Sequence, residues 1–165
     1  MAENPKPEVF DLKTPDRLAN MKLEDLRNFQ VPDEIDFQEV FDYLRHLHDP
    51  EHPGLSLEQL RVIRLNDIFC ENNIVRVLFT PTIPTCSVAT IIGLTILAKL
   101  NMCLPKRFKI KVEIAPGSHE QELQVNKQLG DKERVCAALE NPNLVKMIKR
   151  GLKDTSCLPS ALVMF

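Results

Sequence analysis

From Asp36 onward the apolar positions fall into a helical period. Phe37, Val40, Phe41, Leu44 and Leu47 share one face, and Asp49-Pro50 supplies a stop. "SLEQL" from Ser56 has the Ser-x-x-Gln form of a capping box, which predicts a short helical turn. The pattern then changes. "RVIRLNDIF" (61–69) and "IVRVLFT" (74–80) read as two strands, parted by Glu71-Asn72-Asn73, whose asparagines tolerate the left-handed geometry of a hairpin turn. An apolar run from Ser87 to Met102, closed by Leu104-Pro105, predicts a helix. In "FKIKVEI", Phe108, Ile110, Val112 and Ile114 alternate with Lys109, Lys111 and Glu113, the mark of a strand with one buried and one wet face.

Pro116-Gly117 breaks that strand, and the remainder reads helical. Ser118 with Gln121 forms a second capping-box pattern, Gly130 punctuates, and Asn141-Pro142-Asn143 separates the last two helices. Leu144, Ile148 and Leu152 fall on one face of the final helix. The predicted order is helix, strand, strand, helix, strand, helices. Three strands cannot stand alone, so the apolar helix must cover one sheet face, and the fold class is α+β. The domain is assigned to 31–153. A polar, proline-bearing arm (1–30) precedes it and the tail "DTSCLPSALVMF" (154–165) follows; neither internal repeat nor low-complexity tract is present.

Composition narrows the classes. The 165 residues suit one domain, and 44% hydrophobic with 27% charged residues is ordinary for a soluble globular chain. A net charge of -2 argues against a protein built to grip nucleic acid. The start "MAENPKPEVFDLK" lacks signal-peptide and transit-peptide patterns, and "ATIIGLTILAKL" is too short to span a membrane. Five widely spaced cysteines with no CxxC pair suit free thiols in a reducing, intracellular compartment.

The stretch "TPTIPTCSVATIIGL" (80–94) carries the candidate chemistry. Pro81 and Pro84 stiffen the exit from the second strand, with Thr80 and Thr82 beside them, and deliver Cys86 to the start of the apolar helix. Ser87 is the expected N-cap, which puts Cys86 just outside the first turn. Free N–H groups and the positive helix end there would lower the thiol pKa, making it a better nucleophile or metal ligand. The competing reading is a small buried cysteine that only packs. Cys70, Cys103, Cys136 and Cys157 have no comparable setting and are read as structural.

His46, His48 and His52 cluster with Asp49 and Glu51 in "RHLHDPEHP". The proline breaks the helical register of His48 with His52, so a solvated helix end is the better reading and a metal site the lesser one. His119, alone in a turn, is a weak metal candidate. The chain is acidic from Asp33 to Glu51 and basic from Lys99 to Lys111, which reads as solvated faces or complementary surfaces for protein partners. No Gly-rich phosphate loop, GxSxG elbow or HExxH pair occurs.

"DPEHP" (49–53), "FTPTIPTCSVATIIGL" (79–94), "LPKRFK" (104–109) and "NKQLGDKERVCAALEN" (126–141) together resemble the eukaryotic cytosolic iron–sulfur cluster assembly component 2 family, within the wider PaaD-like and SufT-like domains. "LPKRFK" and "PGSH" followed by "NKQL" are closer to the B-type paralogue. The resemblance spans about 31–153 and implies the same small α+β fold. It implies a non-enzymatic adaptor of the cytosolic iron–sulfur targeting complex, bridging a WD-repeat β-propeller and a HEAT-repeat protein. Its clients would be apo iron–sulfur proteins, many of them enzymes of DNA metabolism. No membrane or nucleic-acid contact, a cytoplasmic location with a nuclear pool allowed, and an optional homodimer complete the expectation. No cofactor would be permanently bound; a cluster or metal would be held transiently through Cys86, where the family's reactive cysteine falls. Family members commonly place histidine before that cysteine. Here Thr85 stands there, so a Cys–His metal pair at this loop is not implied. The alternative function is a thiol-dependent enzyme with Cys86 as nucleophile.

Overall fold

The computed structural model describes residues 6–12 and 35–153. The expected arm and tail lie almost wholly outside these residues. Helix α1 (Phe37–Leu44) begins where Asp36 accepts the Glu39 N–H at 2.8 Å, and it buries Val40, Phe41 and Leu44. The helix ends at Leu44, earlier than the Asp-Pro stop suggested. Leu47 is still fully buried, carried by the loop that follows rather than by a further turn. At Ser56 the capping-box pattern is realised in full. The Gln59 N–H donates to Ser56 Oγ at 3.2 Å, and the Ser56 N–H donates to Gln59 Oε1 at 2.9 Å.

The first strand is shorter than its apolar pattern suggested. Residues 61–64 form a turn and bend, Leu65–Asp67 a 3-10 turn, and only Ile68–Glu71 pairs as strand β1. Arg61 sits at φ 51, which no strand residue adopts. The N–H groups of Val62 and Ile63 both donate to the Leu57 carbonyl, not to a ladder. Val62 and Ile63 are apolar because they are buried beneath the sheet edge region, not because they alternate.

Strand β2 (Ile74–Phe79) follows a tight turn in which Asn72 (φ 47) and Asn73 (φ 62) take the left-handed region, as their identities suggested. β1 and β2 are antiparallel. Strand β3 (Lys109–Ile114) then pairs parallel to β2, in register Ile74↔Lys109 to Phe79↔Ile114. A parallel neighbour needs a crossover. Helix α2 (Ala89–Cys103) provides it and packs on β3, α1 and the first and last of the three helices after β3, which is why apolar residues occur on all its faces. Lys99, counted in sequence with the basic run, lies on α2 and is buried; the exposed cations of that run are Lys106, Arg107, Lys109 and Lys111.

Helices α3 (Glu122–Gly130), α4 (Lys132–Glu140) and α5 (Pro142–Gly151) complete the described fold. Asp131 caps α4, Asn141 caps α5, and Pro142 occupies the first turn of α5, where its missing N–H costs nothing. Ile148 and Leu152 are buried as their spacing suggested. The Ser118–Gln121 capping box does not form. Ser118 Oγ donates to the Ala115 carbonyl at 2.7 Å, and α3 starts without a side-chain cap. Gly93 permits a close helix contact, since a Cβ there would stand 2.5 Å from Leu129 Cδ1 of α3. Among the described residues no helix is long and apolar enough to cross a membrane.

Candidate functional site

The segment between β2 and α2 is fixed at several points. The Thr80 N–H donates to the Val62 carbonyl at 2.8 Å, and Pro81 is buried. A turn then closes through the Cys86 N–H and the Ile83 carbonyl at 3.2 Å. Pro84, Thr85 and Ser87 face outward and Thr82 is half-buried, while Cys86 is only 4% exposed. The N-terminal position of α2 differs from expectation. Val88, not Ser87, is the N-cap residue, and no side chain caps it by an oxygen. The Val88 and Ala89 backbone N–H groups at this helix start favour the charged form of the Cys86 thiol.

The helix start does not produce the lowered pKa the sequence suggested. Burial pushes the Cys86 thiol up from an ordinary 9.0 to about 11. The Val88 N–H opposes burial, the Glu51 and Asp49 carboxylates add to it, and the Ala89 N–H again opposes. Desolvation outweighs the helix end, so Cys86 rests as a neutral thiol. Cys70 is also pushed up to about 11, by burial first and then by Asp36 and Glu39. A raised pKa therefore does not separate the two cysteines. Their surroundings do, because Cys70 stands in a strand whereas Cys86 is clasped by a second loop. Cys103 is half-buried at the end of α2 and Cys136 is exposed on α4; Cys157 lies outside the described residues.

The clasp comes from the turn between β3 and α3, a link with no signal in the sequence. The Gln121 N–H donates to His119 Nδ1 at 3.0 Å, which fixes Nδ1 as the acceptor. The proton therefore sits on Nε2, 3.0 Å from the Cys86 carbonyl, to which it donates. One residue on, the Glu120 N–H donates to the Pro84 carbonyl at 3.0 Å. His119 is 9% exposed, and both ring nitrogens are engaged. A metal role for it would require the ring to abandon both bonds.

The carboxylates of the acidic loop after α1 act on the same thiol through their charge. Asp49 is 2% exposed, and its Oδ1 accepts from the N–H groups of Glu51 at 2.7 Å and His52 at 3.0 Å. The segment is thus an inward-facing turn rather than a solvated helix end. Ligand atoms of Asp49, Glu51 and His52 lie within 4.8 Å of one another, a donor set of two carboxylates and an imidazole that a divalent cation could use. His52 Nε2 and His48 Nδ1 are buried without hydrogen-bond partners, and His46 is exposed and outside that set. The acidic run is partly internal too, since Asp42 and Arg45 are buried as an ion pair at 3.2 Å.

Two segments distant in sequence, the 80–88 loop and the β3–α3 turn, thus meet at Cys86. The family described as iron–sulfur cluster assembly protein matches residues 38–114. MIP18 family protein galla-2 of Drosophila melanogaster is 51% identical over 153 residues, covering 90% of this chain and 93% of that protein. Cytosolic iron-sulfur assembly component 2B of Mus musculus is 52% identical over 129 residues (77% and 78%), and the Dictyostelium discoideum protein of that name 44% over 157 (90% and 95%). The α+β order, the matched segments and these identities agree: the chain belongs to the MIP18 family of iron–sulfur cluster assembly proteins.

Proposed function

We propose that this protein is a non-catalytic adaptor in cytosolic iron–sulfur cluster assembly, with Cys86 as its working thiol. The names of its relatives support the assembly role and a cytoplasmic setting. The observation that carries the adaptor reading over the thiol-enzyme alternative is the bonding of His119. A nucleophilic cysteine needs a base within hydrogen-bond reach of sulfur. The imidazole held to Cys86 gives its proton to the backbone carbonyl and its lone pair to Gln121, so it is not offered to the thiol. The thiol is also buried and neutral.

The cluster is then cargo. One thiol supplies one of about four ligands that such a cluster takes, so a client or partner completes the set. The partners proposed are a WD-repeat β-propeller and a HEAT-repeat adaptor, with apo iron–sulfur proteins of cytosol and nucleus as clients. Affinity purification of the tagged protein from cells should recover a propeller and a HEAT-repeat protein in comparable amounts. Cys86→Ala should retain both and fail to support iron incorporation into clients. Full client maturation by that variant removes Cys86 from the proposal. Turnover of an acyl or disulfide substrate by the isolated protein would favour the enzyme.

A further inference from the structure

We propose that His119 is the positioning residue of Cys86: its imidazole clasps the Cys86 carbonyl and holds the sulfur in its buried setting. The functional weight of this clasp rests on Cys86 being the working thiol, but the clasp itself stands on geometry. Val88 and Ala89 follow Cys86 closely in the chain, at the start of α2, and are local to the thiol. The turn from Ile83 to Cys86 is equally local. The Thr80 N–H on the Val62 carbonyl ties down the start of the loop. The restraints beside the thiol from a separate part of the fold are those of the β3–α3 turn, His119 Nε2 on the Cys86 carbonyl and the Glu120 N–H on the Pro84 carbonyl, both at 3.0 Å. They join segments 33 residues apart in the chain. Glu120 contributes a backbone group, which any residue there would supply. His119 contributes a side chain, and it is the specific part of the clasp.

The ring is suited to this because it must both donate and accept. Nδ1 takes the Gln121 N–H and Nε2–H gives to Cys86, so a single neutral tautomer satisfies both, and the surrounding burial keeps water from substituting. Glutamine carries an amide NH2 on a side chain of comparable reach and can reproduce the bond to the Cys86 carbonyl. Alanine cannot. Loss of the clasp frees the 80–88 loop to swing its thiol into solvent, so the variant should expose Cys86 without unfolding the domain.

The test is the rate of Cys86 alkylation by iodoacetamide in the full chain, followed by peptide mass spectrometry, with exposed Cys136 as internal reference. His119→Ala should raise the Cys86 rate relative to Cys136 by about fivefold to tenfold, the population change expected for one lost buried hydrogen bond. His119→Gln should stay within about twofold of the wild type. Ile148→Val, a core change in α5, should lower the melting temperature without changing the ratio. An unchanged ratio in His119→Ala overturns the proposal, as does an increase in Ile148→Val equal to that in His119→Ala. Should His119→Ala not fold, nitrogen-15 spectra of the wild type decide: a proton on Nε2 of His119 is expected, and one on Nδ1 defeats the clasp. Because these readouts need no client, the clasp and the adaptor role fail separately. Wild-type client maturation by Cys86→Ala would sink the role of the thiol and leave the clasp intact.

Discussion

Arg45 and Glu58 meet at two points, Nε to Oε2 at 2.7 Å and Nη2 to Oε1 at 3.0 Å. The Arg45 guanidinium also reaches Asp42 Oδ1 at 3.2 Å, and Arg45 and Asp42 are almost fully buried. This network joins α1 to the Ser56 turn across the base of the loop that carries Asp49 and Glu51. Removing one partner leaves buried carboxylates without compensation, which costs more than the pair itself contributes. Arg45→Met should therefore destabilise the fold by about 3 kcal/mol in urea unfolding. An unchanged midpoint would show that the carboxylates find other partners.

The contact of Gly93 with Leu129 sets the spacing of α2 and α3. A methyl group at position 93 would meet Leu129 Cδ1 at 2.5 Å, an overlap that the leucine tip can relieve only by leaving its position. Gly93→Ala should cost about 1–2 kcal/mol, the gain in helix propensity offsetting part of the overpacking. Leu129→Ala alone leaves a cavity. Combined with Gly93→Ala it should be less damaging than the sum of the two single changes, with a coupling of about 1 kcal/mol. Additive losses in thermal unfolding would show that the helices shift apart instead.

The element order was readable because α1, β2, β3 and α5 each carry a clear period or cap, and α2 is a long apolar run closed by Leu104-Pro105. β1 was over-extended for a physical reason. Val62 and Ile63 are core residues whose N–H groups end in a turn, and hydrophobicity reports burial without reporting where the backbone donors go. Cys86 could be chosen from its prolines and its place before an apolar helix. Its protonation could not, because the balance between a helix end and desolvation depends on packing the sequence does not display. The bond from His119 to the Cys86 carbonyl joins residues that no local pattern links. Ser87 shows the opposite case: a good capping residue by type, yet α2 starts one residue later, at Val88, with no side-chain cap.

The Glu51 carboxylate acts on Cys86 through its charge and raises the thiol pKa, after burial and against the Val88 N–H. Glu51→Gln removes that charge and keeps the shape. The pKa of Cys86 should fall from about 11 yet remain above 9.0, since burial is the larger cause. The pH profile of Cys86 alkylation checks this. A midpoint that rises, or drops below 9.0, would contradict the order of the two effects.

The raised thiols also set an alkaline limit on stability. Cys86 and Cys70 hold their protons to about 11 in the folded state, against 9.0 for an ordinary thiol. Between 9.0 and about 11 the unfolded chain therefore binds fewer protons than the folded one, and stability falls as pH rises through that window. Below 9.0 both states keep the proton and the effect vanishes. Each thiol should account for a loss on the order of 1 kcal/mol by the top of the window, after allowance for solvent screening. The double variant Cys70→Ala with Cys86→Ala should start less stable at neutral pH, because two packed side chains are cut back. Its unfolding free energy should then decline less steeply with pH than that of the wild type. Parallel declines in denaturant unfolding would mean that other groups, not these thiols, govern the alkaline limit.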